Sequence, residues 1–312
     1  MFTTDAPSLA LNFLRTAQNY IEPGIYARAY PDFQYRELVP VDNTAPEWIK
    51  QIDFFSMGDD MGEAREFAAE GDDIPFVDVQ LDKGDSRVTM AAIGYRYNLE
   101  ELSHAQQYGI RLTDDRADAA RRAYERYVDN TAFLGRAKLG KTGLVNTASV
   151  TALVAANGAA GTATWATKTA DEILKDFNTV LSAIFIGSNG IEQADTVLIP
   201  QAQYELIATK RLDPTMTTTV LEHIQRANVY TVRTGRPLTI RAVWGLETAG
   251  AGNSARLVAY RRDPAVVKMH VPMPLRWLEA ERRLLKYEVP GIFRLGGVEV
   301  RRPGAMRYLD GI

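Results

Sequence analysis

The stretch LTDDRADAARRAYERYVDNTAFLG constrains the fold more than any other part of the chain. Its apolar or small residues Ala117, Ala120, Tyr124, Val128 and Ala132 recur every three or four positions, the spacing that lines one face of an α-helix. Both ends are marked. Thr113 can accept from the first free backbone N–H groups, Asp114, Asp115 and Asp118 suit the positive end of the helix dipole, and Gly135 suits the left-handed residue that closes a helix.

The segment that follows, GRAKLGKTG (residues 135–143), matches the phosphate-binding loop pattern, with Gly135, Gly140, Lys141 and Thr142 at the required spacing. That loop works only between a buried strand and a helix whose N-terminal N–H groups face the phosphates. Here a helix enters the loop, and Gly135 already serves as its cap. The Gly-, Ala- and Thr-rich GLVNTASVTALVAANGAAGTATWATK downstream shows no cap leading into helical periodicity. Nor does a buried strand end in the carboxylate such a site needs: ADTVLIP ends in Pro200, and IPFVD carries Pro75. The flanks therefore argue against a nucleotide-binding enzyme built on residues 135–142.

Composition narrows the remaining classes. With 312 residues, 46% of them hydrophobic, the chain can bury one large core or two smaller ones. No run approaches the roughly twenty apolar residues that span a bilayer, and no basic leader opens the sequence, so a protein that neither crosses a membrane nor is exported is expected. The absence of cysteine excludes disulfides, thiolate catalysis and zinc–thiolate sites. A net charge of −3 argues against a dedicated nucleic-acid binder but leaves room for a local basic surface.

Along the chain, residues 8–20 can form a short amphipathic helix through Leu9, Phe13 and Leu14, followed by a segment rich in Pro and aromatic residues. This reads as an extended arm whose rings, Tyr26, Tyr30, Phe33 and Tyr35, must be buried against its own body or a neighbouring subunit. Next, WIKQIDFFSMG and SRVTMAAIGYRYNL read as two strands, the second with Ile93, Tyr95 and Tyr97 on one face. Separated by an acidic insert, they suggest a projecting two-stranded loop. Residues 59–85 hold ten acidic residues, among them Asp59, Asp60, Glu63, Glu66, Asp72 and Asp73, against only Arg65 and Lys83, a formal charge of −8. So much like charge favours an extended conformation or a basic partner. No calcium-loop pattern accompanies it.

Thr169 with Glu172 forms a capping-box signature, and Ile173, Leu174, Phe177, Val180, Leu181 and Ile184 line one helical face. ADTVLIP reads as a buried strand, QAQYELIATKRL and TTVLEHIQRAN as short helices, and LTIRAVWGLE, ARLVAYRR and AVVKMHV as strands, an α+β order. In the tail, a strand pair is expected around Gly296 and Gly297, with Val298 and Val300 on one face, returning beside the long helix. His104, His223 and His270 show no metal-ligand spacing. Ser188 in IGSNG lacks the strand–turn–helix elbow of a catalytic hydroxyl. The arginine doublets Arg121–Arg122, Arg261–Arg262, Arg282–Arg283 and Arg301–Arg302 suit carboxylate or phosphate partners. No catalytic, cofactor or metal site is expected.

The order of these parts, with PVDNTAPEW, EGDDIPFVDV, ATKRLDP and the closing RPGAMRYLDGI, resembles the major capsid proteins of tailed bacteriophages with the Hong Kong 97-type fold. The resemblance implies an N-terminal arm (1–45), an extended two-stranded loop (46–98), a peripheral domain with a long spine helix (99–148), an axial domain (149–272) and a return to the peripheral domain (273–312). In it, GRAKLGKTGLVN is the turn that leaves the spine helix. It further implies self-assembly into pentamers and hexamers of an icosahedral head around double-stranded DNA held by non-specific contact. Portal, scaffolding and decoration proteins would be partners, with assembly in the host cytoplasm. Some relatives begin with a helical scaffolding segment that a protease removes; this sequence enters the arm almost at once, so a separate scaffolding protein, or a chain already trimmed, is expected.

Intersubunit contacts are expected from Tyr26, Tyr30, Phe33 and Tyr35 of the arm. Asp59, Asp60, Glu63, Glu66, Asp72 and Asp73 of the acidic stretch would meet Arg121, Arg122, Arg282 and Arg283 of a neighbour. Some relatives join a loop lysine to a neighbour's asparagine by an isopeptide bond. Lys50 and Lys83 are candidates by position, but no motif accompanies them, so assembly is expected to be non-covalent. An encapsulin-like compartment shell shares the implied fold and is the alternative.

Overall fold

The computed structural model describes residues 33–61, 78–102 and 112–312, apart from 214 and 216. The expected helix at 8–20, Tyr26, Tyr30, Glu63, Glu66, Asp72, Asp73 and His104 lie outside the described residues. In chain order the elements are α1 (Tyr35–Leu38), β1 (Val41–Asp42), β2 (Gln51–Met61), β3 (Asp78–Arg87), β4 (Thr89–Asn98), α2 (Leu112–Leu134), β5 (Ala152–Val154), α3 (Ala170–Gly187), β6 (Thr196–Ile199), α4 (Gln201–Thr209), α5 (Val220–Arg226), α6 (Val229–Thr234), β7 (Thr239–Ala242), β8 (Arg256–Tyr260), β9 (Val267–His270), β10 (Met273–Trp277), β11 (Glu281–Arg283), β12 (Lys286–Leu295), β13 (Val298–Val300) and β14 (Met306–Asp310).

A five-stranded sheet in the order β5-β14-β8-β6-β7 forms the centre. Successive side chains of a strand point to opposite faces, and on the three inner strands both faces are buried. Leu198, Val258, Tyr260, Met306 and Tyr308 join the cluster around α2, with Tyr124, Val128 and Ala132. Val197, Ile199, Leu257, Ala259 and Leu309 join the cluster around α3, with Ile173, Phe177, Val180 and Ile184. That is why TVLI reads as an unbroken apolar run rather than an alternating one. Each such side chain stabilises the fold by about 2 kcal/mol on burial. Helix α3 has the expected capping box: the Thr169 hydroxyl accepts from the Glu172 N–H, and the Glu172 carboxylate accepts from the Thr169 N–H at 2.8 Å.

A second sheet lies along α2. Strand β4 pairs antiparallel with β12 over ten residues, from Thr89↔Leu295 to Asn98↔Lys286. Ile93, Tyr95 and Tyr97 share the inward face as expected. Tyr95 meets Tyr97 and Trp277 edge-on, at 5.5 and 5.0 Å between ring centroids, and Phe293 meets Tyr124 and Tyr127 of α2 at 4.9 and 5.3 Å.

Three local expectations are corrected. The projecting hairpin is β2 paired with β3, not WIKQIDFFSMG paired with TMAAIGYRYN, because the end of the acidic insert is itself strand and β4 is taken by β12. The tail strands β12 and β13 do not pair with each other; β13 pairs with β9, which leaves the Gly296–Gly297 link as a crossing between sheets. Helix α2 already includes Leu112, which puts Thr113 inside its first turn rather than at the cap. Helix α6 was not anticipated from periodicity; it is short and starts where the Asn228 side chain accepts from the Thr231 N–H at 2.8 Å.

The end of α2 follows from Gly135. Its φ is +66°, and a Cβ there would lie 2.5 Å from the Lys141 carbonyl and 2.6 Å from the Gly143 nitrogen. The chain folds back at that point. Leu144 and Val145 donate backbone N–H groups to the carbonyls of Ala132 and Phe133 at 2.8 and 3.1 Å, and the Asn146 amide donates to Leu134 at 2.6 Å, so the last helical carbonyls are satisfied. Gly135→Ala should destabilise the unassembled subunit by about 3 kcal/mol, from left-handed strain plus the backbone clash. Urea unfolding followed by circular dichroism checks this, and a loss below about 1 kcal/mol contradicts it.

Candidate functional site

The loop that mimics a phosphate cradle serves a structural purpose. Lys141 is buried; its ammonium donates to the Thr89 hydroxyl at 2.7 Å and to the Leu295 carbonyl. It thus fastens the exit of α2 to the first pair of the β4–β12 ladder. Thr142 donates its hydroxyl to the Val298 carbonyl at 3.2 Å. Neither side chain is free to hold a phosphate, and the residues after Thr142 form turns, not a helix. Burial, helped by nearby Arg136, pushes the Lys141 pKa down to about 8.

Several other polar groups of the interior are likewise paired across the fold. Arg256 grips Asp310 with two hydrogen bonds of 2.6 and 2.8 Å, donates to the Val145 carbonyl at 2.7 Å and lies over the Tyr308 ring. Lys168 and the Trp165 indole both donate to Asp176. His270 meets Glu299 at 2.7 Å, and Lys268 meets Asp42 at 2.8 Å, which holds β1 against β9. Burial works to raise the Glu299 pKa, but hydrogen bonds with His270 and Arg301 outweigh it and keep the carboxyl below its ordinary value. Among the described residues no group of three or more His, Asp or Glu is placed to hold a metal ion, and no helix is long and apolar enough to cross a membrane.

The expected contact residues fall in different settings. The Tyr35 ring is buried in its own subunit, its hydroxyl donating to Glu125 at 2.8 Å, and Phe33 packs half-buried on the same core. Asp59 and Asp60 lie near the far end of β2 in the hairpin. That hairpin pairs with no other strand among the described residues, and Lys83 bridges to Asp53 at 2.8 Å across its base. Arg121 is exposed on α2, and Arg122 beside it is half-buried.

Arg282 and Arg283 flank the tight turn between β11 and β12, where Arg283 pairs with Lys286 around the two loop residues Leu284 and Leu285. Leu284 is 91% exposed with φ +55°, a conformation that costs a branched residue roughly 1–2 kcal/mol. The structure therefore brings two leucines and several cations to one exposed tip. Sequence reasoning picked out the arginines and missed the leucines, which the apolar pair inside RRLLK could have signalled.

The family model described as Major capsid protein matches residues 62–312. The chain belongs to the major capsid protein family. No curated protein sequence matches it. Among solved structures, this major capsid protein is similar to the capsid of Myoviridae phage XM1, with a TM-score of 0.79 at 19% identity over 95% of this chain and 98% of that one. It is also similar to a structure from Mycobacterium phage Ogopogo, with a TM-score of 0.60 at 14% identity over 95% and 98% of the two chains. The capsid of an empty GTA particle computed with C5 symmetry gives 0.60 at 13% identity over 99% of each. The fold is the α+β Hong Kong 97-like capsid fold. The protein is a self-assembling structural shell subunit, not an enzyme, and the nucleotide-binding reading is not favoured.

Two results are expected for Lys141. Titration calorimetry of the intact chain with magnesium and ATP should show no binding heat; a saturable signal lost in Lys141→Ala would restore the nucleotide reading. The ammonium is disfavoured in the folded state, so its cost is fully present below about pH 8 and is relieved as pH rises towards the unfolded value of 10.5. Subunit stability relative to Lys141→Met should therefore climb by roughly 3 kcal/mol between pH 8 and 10.5. Parallel urea midpoints at both ends of that window would contradict it.

Proposed function

We propose that the protein assembles into pentamers and hexamers that close an icosahedral bacteriophage head around double-stranded DNA. The observation that carries this reading is the β2–β3 hairpin, two strands of eleven and ten residues that pair only with each other among the described residues. An isolated two-stranded hairpin is marginal in water, so such an element fits a chain that completes its packing on a neighbour.

In this reading residues 1–45 are the arm, 46–98 the extended loop, 99–148 the peripheral domain with α2 as its spine, 149–272 the axial domain and 273–312 the return. Residues 89–98 already run in the sheet beside α2, so the projecting part is the hairpin of β2 and β3. The acidic stretch of one subunit meets basic surface of the next, with Arg121, Arg122, Arg282 and Arg283 as candidates, and Tyr26 and Tyr30 are candidate contacts from the arm. Many modest contacts then sum through multivalency. Portal, scaffolding and decoration proteins are further partners. DNA contact is non-specific, which a net charge of −3 permits when a motor drives packaging. Assembly takes place in the host cytoplasm.

Sedimentation velocity of the intact chain, with electron microscopy of the fast fraction, should give rings or closed shells. A monomer that persists at high concentration with scaffolding protein present counts against the reading. Deleting residues 60–82 should leave a folded subunit that assembles poorly, whereas normal particles from that deletion would remove the loop's intersubunit role.

A further inference from the structure

Arg294 is 7% exposed, yet its guanidinium makes no hydrogen bond or ion pair among the described residues, and its Nε is buried without an acceptor. Lys168 and Arg256, buried to a similar degree, each have a carboxylate. A guanidinium carries five donors, so leaving its Nε buried and unpaired is unfavourable, while the two terminal nitrogens are not among the buried unpaired atoms and can meet an incoming group. Among the described residues the Trp48 indole lies over it, 5.8 Å from Cζ to the ring centroid, and Trp48 is itself 64% exposed. A buried cation thus lies beneath a solvent-facing ring.

The sheet register shows which way this site faces. Phe293 packs on α2, so its neighbour Arg294 projects from the opposite face of β12. On that face Arg294 is paired with Met90, which is 57% exposed, and Ile292 is paired with exposed Ala92. Exposed Arg276 sits at the Ile292 level on the other side. Arg276 has Glu47 within 3.6 Å, whereas Arg294 has no carboxylate among the described residues, so the outer face is an apolar strip with one unmatched cation, and its complement is an acidic segment.

The chain carries such a segment in residues 59–85, formal charge −8. The hairpin is rooted beside this sheet, where the Val88 N–H donates to the Lys50 carbonyl and Thr89 pairs with Leu295. Paired strands run outward from Gln51↔Arg87 to Met61↔Asp78. At about 3.3 Å per residue, Asp59 and Asp60 stand roughly 25–30 Å along the strand from that root. A paired hairpin cannot bring them back to its own base. We infer that Arg294, roofed by Trp48, is the receptor for a carboxylate from the 59–85 segment of a second copy of this chain. This inference rests on the shell reading and names one of its contacts.

The test uses the full-length chain and a fluorescein-labelled synthetic peptide of residues 59–85, with binding read by anisotropy and subunit integrity by thermal melting. Binding to the unaltered chain should be saturable. Arg294→Met should weaken it at least tenfold without lowering the melting temperature, Arg294→Lys should fall between, and Trp48→Ala, at an exposed position, should weaken it several-fold. Unchanged peptide affinity in the Met and Ala variants overturns the inference, as does Arg294-dependent binding of a single-stranded DNA oligonucleotide in place of the peptide. If Arg294→Met melts early, Trp48→Ala alone decides. Because peptide binding is read on unassembled chain, a failure to form shells would strike the assembly reading and leave this result standing.

Discussion

Burial of the central sheet on both faces is the constraint on which the rest of the structure depends. Each of the inner strands β14, β8 and β6 must divide its side chains by parity between the cluster around α2 and the cluster around α3. A slip of one residue would exchange the two sets and send Tyr260 and Tyr308 to the wrong side. Those two rings also carry the connections that organise the periphery. The Tyr260 hydroxyl donates to the Leu38 carbonyl, which fixes the segment leading into β1, and the Tyr308 hydroxyl donates to the Leu144 carbonyl, which fixes the turn after α2. Register in the core therefore sets where the arm-proximal segment and the helix exit meet.

Around that core the molecule divides its polar chemistry into two kinds. Buried charges such as Asp310, Asp176 and Glu299 are paired internally, and one-sided removal of such a partner is costly. The hairpin, the Leu284–Leu285 tip and the outer face of the β4–β12 sheet show the opposite pattern: apolar groups in water, or a cation with no acceptor. Exposed apolar side chains also occur elsewhere on the surface, at Val154, Ile191, Val232 and Trp244.

Elements with one strong local signal were legible in the sequence. The stripe of α2, the left-handed Gly135, the Thr169–Glu172 box and the doubly buried TVLI strand all rest on residues within a few positions of one another. The rejection of the nucleotide loop was legible for the same reason, since the wrong flanks are adjacent to it. Strand partners were not. Nothing in TMAAIGYRYN says that its ladder neighbour lies two hundred residues away rather than across the acidic insert, because alternation fixes a face and leaves the partner open. The same limit hid Arg294: in PGIFRLGG it reads as an outward, solvated arginine, and only the placement of Trp48 shows it to be covered and unpaired.

The pairing of Thr89 with Leu295 also has a consequence in time. During synthesis β4 and α2 emerge long before β12, so the face that bears Arg294 does not exist until β12 has been made. Contacts of such wide sequence separation form late and slowly. A nascent subunit thus carries its acidic hairpin strands without yet displaying the surface that would capture another's. In the inferred contact, capture is thereby delayed until β12 has been made and paired.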